Sequence, residues 1–326
     1  SLLYRDRVRF RRYFPTFEQS APQPQVNALR TAAGFIWGPR PTARGVRAAL
    51  LEHPSWIIQS ALSQYQRPEA TSDSVIRVFD PGRRTAPPAR EFLIRGLAVR
   101  AHALAGVGRW REAMVVLDSL QRFDADEALG IKAWAIALGL APTSFNPVLD
   151  SIVKTLPPGP EAEYAGALLH MTRGRVPEGR RQLGRALMNR ETGLPPEQRG
   201  LMIAADGLGL LLQHDTVAGI RRMREGLDSA AVPNLATESA FLRFEFALAL
   251  AARPETREEG IRWLRYGFET LPMYKPLTLL ALGQTYEAAG QSEAAAAAYR
   301  RFLRLWDKAD PELQGRAREA TQALRE

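Results

Sequence analysis

Cysteine is absent from the 326 residues, which excludes disulfide scaffolds, zinc–cysteine sites, iron–sulfur clusters and thiol catalysis while leaving the compartment open. Long apolar runs are also missing. The stretch from Leu201 to Leu212 is broken by Asp206 and falls short of the roughly 18 to 20 residues that a spanning helix needs. The four histidines (His53, His102, His170, His214) show neither His-Glu-x-x-His spacing nor any clustered ligand pattern, so no metal site is expected. Gly106-x-Gly108 lacks the third glycine of a phosphate-binding turn, and no Gly-Lys-Ser/Thr occurs, so no nucleotide cofactor is expected either. The acidic pairs Glu258-Glu259 and Asp124-x-Asp126-Glu127 fall near expected helix starts, where negative charge meets the helix dipole favourably. A catalytic role needs more than that, and an enzyme built from carboxylates distant in sequence is kept only as a lesser alternative.

Lysine is scarce. Four of the 44 basic residues are Lys (132, 154, 275, 308), a bias that fits codon usage in a high-GC genome before any function. The net charge of +9 is concentrated at the start, because residues 1 to 47 hold nine arginines against Asp6 and Glu18. Arg5 to Arg12 with Tyr4, Phe10, Tyr13 and Phe14 mimics an arm that binds nucleic acid or an acidic surface, and such binding is the alternative function. The plainer reading is a solvated extended segment, since Arg7, Arg9 and Arg11 alternate with Val8 and Phe10. The chain has no initiating Met and no signal-peptide pattern; it is expected to be a piece of a longer protein, in one case with a membrane segment in the upstream part.

What is present is a packed-protein composition, 45% hydrophobic and 24% charged, arranged in two styles. Ten of the 23 prolines lie before residue 94, which leaves room only for short helices, expected at 42–53 and 55–66 with Thr42 and Ser55 as caps. From Ala89 onward, Ala/Leu-rich segments with helical spacing follow one another, and strand-like alternation is scarce. The expected organisation is a basic, Pro-rich region over 1–93, a helical repeat array over 94–310 and a capping helix over 311–326, opened by Asp310-Pro311.

The clearest unit is Leu279-x2-Leu282-Gly283-x2-Tyr286, followed by Gly290, Ala295, Tyr299 and Phe302. It resembles a tetratricopeptide repeat, with Leu279 where that family most often has Trp. Counting from Pro276, the small residues at positions 8 and 20 are Gly283 and Ala295. Two antiparallel helices approach to about 8 to 10 Å only where small residues face each other. Units starting at 94, 126, 160, 200, 241 and 276 place Ala101, Ala133, Ala167, Gly207, Leu248 and Gly283 at position 8, and Ala113, Phe145, Gly179, Gly219, Gly260 and Ala295 at position 20. Ten of these twelve are Ala or Gly. Val116-Leu-Asp-Ser-Leu120 recurs as Val148-Leu-Asp-Ser-Ile152, an independent echo. A nonrepeating helical bundle is the alternative fold; Phe145 and Leu248 make the second and fifth registers the least secure.

The resemblance implies an all-α, right-handed solenoid of about six helix-turn-helix repeats, following a more irregular helical N-terminal region. It also implies a non-catalytic scaffold or docking domain that binds a peptide or protein in the inner groove. Positions 2, 5, 9 and 12 of the first helices would line that groove, which names Arg95, His102, Trp134, Tyr164, Met171, Gln284 and Glu287 as partner-binding residues. The end of the chain, Leu282 to Gly290 and Tyr299 to Leu313, is also similar to the C-terminal repeat regions of some bacterial serine/threonine kinases and multidomain transcription regulators. Kinase signatures are absent. The resemblance therefore implies a sensory or docking part, outside the cytoplasm in the kinase case and cytoplasmic in the regulator case.

Overall fold

The computed structural model describes residues 87–155, 160–190, 196–230, 237–268 and 271–325. The expected helices at 42–53 and 55–66 and the Arg-rich start lie outside them. Among the described residues there is no strand, and thirteen α-helices follow one another. They are α1 (Pro87–Gly106), α2 (Trp110–Gln121), α3 (Ala125–Ala137), α4 (Asn146–Thr155), α5 (Pro160–Thr172), α6 (Val176–Arg190) and α7 (Pro196–Leu212). The rest are α8 (Thr216–Ser229), α9 (Thr237–Ala251), α10 (Arg257–Tyr266), α11 (Lys275–Ala288), α12 (Ser292–Leu305) and α13 (Gly315–Ala323). The expected boundary at 93/94 falls inside α1, which runs straight through it.

One turn is reused. Gly108, Gly139, Gly174, His214 and Gly290 all have positive φ, and the next residue's N–H reaches back five residues each time. Arg109 donates to the Leu104 carbonyl (2.9 Å), Leu140 to Ala135 (2.8 Å), Arg175 to His170 (3.0 Å), Asp215 to Leu210 (3.0 Å) and Gln291 to Tyr286 (2.8 Å). This is the left-handed helix stop that satisfies otherwise orphaned carbonyls. Helix α8 then starts on Asp215, whose carboxylate accepts from the Ala218 N–H at 3.2 Å.

Two connections depart from the pattern. After Gly139 the chain makes a 3-10 turn over Thr143–Phe145 before α4, so Phe145 sits in that turn and not at a helix crossing. Between α9 and α10 the Thr256 hydroxyl instead donates to the Leu250 carbonyl at 2.8 Å. There Gly260 lies against Ala251, which takes the place expected for Leu248.

The structure divides into two compact units. One comprises Ala133–Gly267 and Leu279–Tyr299. In it α5 packs on α6, α7 on α8 and α9 on α10, while α7 also meets α5 and α6, and α9 meets α7 and α8. Successive hairpins therefore stack in chain order. Helices α7 and α8 approach closely: a Cβ on Gly207 would lie 2.5 Å from the Met223 nitrogen and one on Gly200 would lie 2.7 Å from the Ala230 nitrogen. Similarly, a Cβ on Gly179 of α6 would lie 2.6 Å from the Ala167 carbonyl of α5. On α11, Gly283 abuts the Tyr299 ring.

The other unit holds the described residues up to Lys132 together with Phe268–Thr278 and Arg300–Glu326. Helices α1 and α2 pack together in it, and Gly106 at the end of α1 rests on the backbone of Pro272 and Met273. The rings of Phe268 and Tyr274 stack at 5.5 Å, and those of Phe302 and Trp306 lie 5.1 Å apart. The expected helix from Asp310 is interrupted: Pro311–Leu313 is a 3-10 turn and α13 begins only at Gly315.

Gly207 and Gly184 should respond oppositely to alanine. Gly207→Ala forces a methyl against backbone, and the overpacking cost of roughly 1 to 3 kcal/mol exceeds the helix-propensity gain of about 1 kcal/mol. A Cβ on Gly184 of α6 meets nothing within 4 Å, so Gly184→Ala should gain roughly 0.5 to 1 kcal/mol. Urea unfolding midpoints moving in opposite directions would verify both.

Candidate partner-binding surface

The expected groove residues divide by burial. Trp134 on α3 is 2% exposed, with its ring 5.1 Å from that of Phe241 on α9. Tyr164 and Met171 on α5 are buried too, and Met171 lies against Gly179 of the next helix. All three pack inside the fold, where the sequence reading expected them to line an accessible groove. Helices α5 and α9 each pack on more than one neighbouring helix. An aromatic on such a helix therefore meets protein.

Gln284 and Glu287 on α11 are exposed. Glu287 is not idle, since its carboxylate accepts from the Tyr299 hydroxyl at 2.6 Å. Burial, together with that bond and the carboxylate charge, pushes the Tyr299 phenol upward. The Arg95 side chain lies outside the described residues. His102 is half-buried on α1; burial lowers it to about 4, against a smaller opposing effect of its hydrogen bond to the Ala98 backbone. The groove set is thus not a continuous accessible surface.

Sequence reasoning missed two features that the fold assembles. First, arginines tie successive hairpins together. Arg175 of the α5–α6 turn pairs with Asp150 of α4. Arg180 of α6 and Arg222 of α8 both hold Asp206 of α7, at 3.0 and 3.5 Å. Arg224 of α8 reaches Glu259 of α10 at 2.6 Å and lies 5.7 Å from the centre of the Phe246 ring. Guanidinium geometry allows one side chain to serve two acceptors, as Arg180 does with Asp206 and Gln213.

Second, the outer face of α8 and the α9–α10 turn enclose an open pocket of about 450 Å³. Its apolar wall is Val217, which is 65% exposed, and the buried Ile220. Arg221, Arg224 and Arg253 stand around it, with Glu225, Asp228 and Glu255. Arg224 is held by Glu259, Glu225 by Arg222 and Glu255 by Arg253. The signal was present as Val217-x2-Ile220-Arg221-x2-Arg224, a helix face carrying apolar and basic residues. Among the described residues no group of His, Asp and Glu could hold a metal ion, and no helix is long and apolar enough to cross a membrane.

Glu245 of α9 is an acid displaced by burial alone, raised to about 7. The chain matches no protein-family model, and neither a curated protein nor a solved structure matches it significantly.

Two of the shifted groups, His102 and Glu245, should give stability two opposing pH limbs. His102 is lowered from 6.5 to about 4, so it stays neutral when folded, and its contribution is complete above pH 6.5 and lost as pH falls through 4. Glu245 is raised from 4.5 to about 7. Its contribution is therefore complete below pH 4.5 and lost as pH rises through 7. Glu245→Gln should raise stability at pH 8 by up to about 3 kcal/mol and flatten the upper limb, while His102→Gln flattens the lower one. Urea titrations between pH 4 and 8 that leave either variant parallel to the parent would contradict the assignment.

Proposed function

We propose that the chain is a non-catalytic, tetratricopeptide-like repeat scaffold that binds a peptide or protein partner. The observation that carries this reading is the in-order stacking of α5 to α10, with first helix meeting first helix and each second helix meeting the next first helix. The recurring left-handed turn supports it. In this reading the docking face is the exposed side of α8, which is supported by the packing of Trp134, Tyr164 and Met171 inside the fold. An exposed Val217 beside Arg221 and the ring-backed Arg224 combines the apolar area and arginine that interfaces favour.

A random-sequence peptide display panned against the full chain tests this. Enriched peptides should bind the parent, and Val217→Asp combined with Arg221→Glu should weaken them at least about tenfold, or roughly 1.4 kcal/mol, without altering helical circular dichroism. A labelled oligonucleotide, titrated at low and high salt, forms the other arm. Tight, salt-steep binding of the oligonucleotide with no enriched peptide would replace the scaffold reading with a basic-arm binder.

A further inference from the structure

Helix α2 begins without a local cap: its N-cap residue is Arg109, which makes no side-chain capping bond. The missing acceptor arrives from the far end of the chain. The Asp310 carboxylate accepts from the Arg111 N–H at 2.8 Å, across 199 residues. Asp310 also donates its own N–H to the Gly108 carbonyl at 2.8 Å. Glu312, two residues on, pairs with the Arg111 guanidinium. Beneath these bonds Trp306 and Ala309 are buried, 2% and 5% exposed, against the turn that joins α1 to α2. Gly108 makes that contact possible, since its φ is +77° and a Cβ there would lie 2.8 Å from both Ala309 Cβ and Trp306 Cε2. The Gln314 side chain, donating to the Ala309 carbonyl at 3.2 Å, braces the segment from behind.

Backbone bonds, an ion pair and a buried indole thus converge on one small area, and each side completes a deficiency of the other. The α2 terminus lacks an acceptor, and the Asp310-Pro311 turn directs its carboxylate outward instead of onto its own following residues. We propose that the Trp306–Leu313 segment is a clasp on the first hairpin, and that α1–α2 and the C-terminal segment open and close as one cooperative element. Opening uncovers Trp306 and frees the first-turn donors of α2. Whatever engages one end of the described chain is thereby felt at the other.

Hydrogen exchange of the full-length chain, read by mass spectrometry at subdenaturing urea, tests the coupling. In the parent, peptides from 98–121 and from 300–325 should share one opening equilibrium and one urea dependence. Asp310→Ala should speed exchange in both stretches on the order of tenfold, leaving 201–226 unchanged; Asp310→Asn, which retains an acceptor oxygen, should fall between. Gly108→Ala approaches the contact from the opposite side and should loosen 300–325 although no residue there is altered. Acceleration confined to 306–314, no acceleration, or an equal rise throughout the chain would each overturn the clasp. The parent measurement stands alone if a variant fails to fold, because different urea slopes for the two stretches would be enough to reject it.

Discussion

The close approach of paired helix backbones is the constraint on which the stacked hairpins depend. Between α7 and α8 there is no room for even a methyl group at Gly207 or Gly200, so the crossing is fixed by main-chain contact. Larger side chains then fill what lies on either side: Leu208 and Met223 are 2% and 0% exposed. A crossing set this way fixes where the next hairpin can dock, because α9 meets both α7 and α8. Small residues therefore act at a distance greater than their size, since a displacement at Gly207 alters the surface offered to α9.

Electrostatics supplies direction where packing alone supplies proximity. Apolar faces tolerate sliding, whereas Asp150 with Arg175, Asp206 with Arg180 and Arg222, and Glu259 with Arg224 are pairings between particular residues. All are partly exposed, so each contributes at most about 1 kcal/mol to stability. Their effect is on register, because an arginine shared between acceptors penalises rotation of either helix. The scarcity of lysine, which from composition alone reads as a genomic bias, has a structural consequence in these shared contacts.

The sequence makes the turns and crossings legible because both recur. Gly108, Gly174, His214 and Gly290 occupy position 15 of their units, and Gly179 meets Ala167 at the expected pair of positions. Where a connection is unique, that periodicity carries no information, which is why Phe145 and Leu248 do not stand at the crossings expected of them. The candidate binding residues were the least legible. Position counting says which side of a helix a residue lies on, but not how many neighbours that helix has. Trp134 and Tyr164 sit where a neighbouring helix covers them, whereas α8 and α12 keep one polar face, and the open pocket lies beside α8.

Asp310 shows a different limit. Locally, Asp-Pro-Glu spells a helix start, and no nearby residue reveals that the carboxylate serves Arg111 instead. Such a contact is inexpensive to maintain despite its range: closing a flexible loop ten times longer costs only about 2 kcal/mol more, since the penalty grows with the logarithm of length. One lost cap and one buried indole are of the same order as that penalty. The α1–α2 turn and the C-terminal segment are therefore held by a margin that a few bonds decide, and this is why a glycine turn, a single carboxylate and one tryptophan suffice to join them.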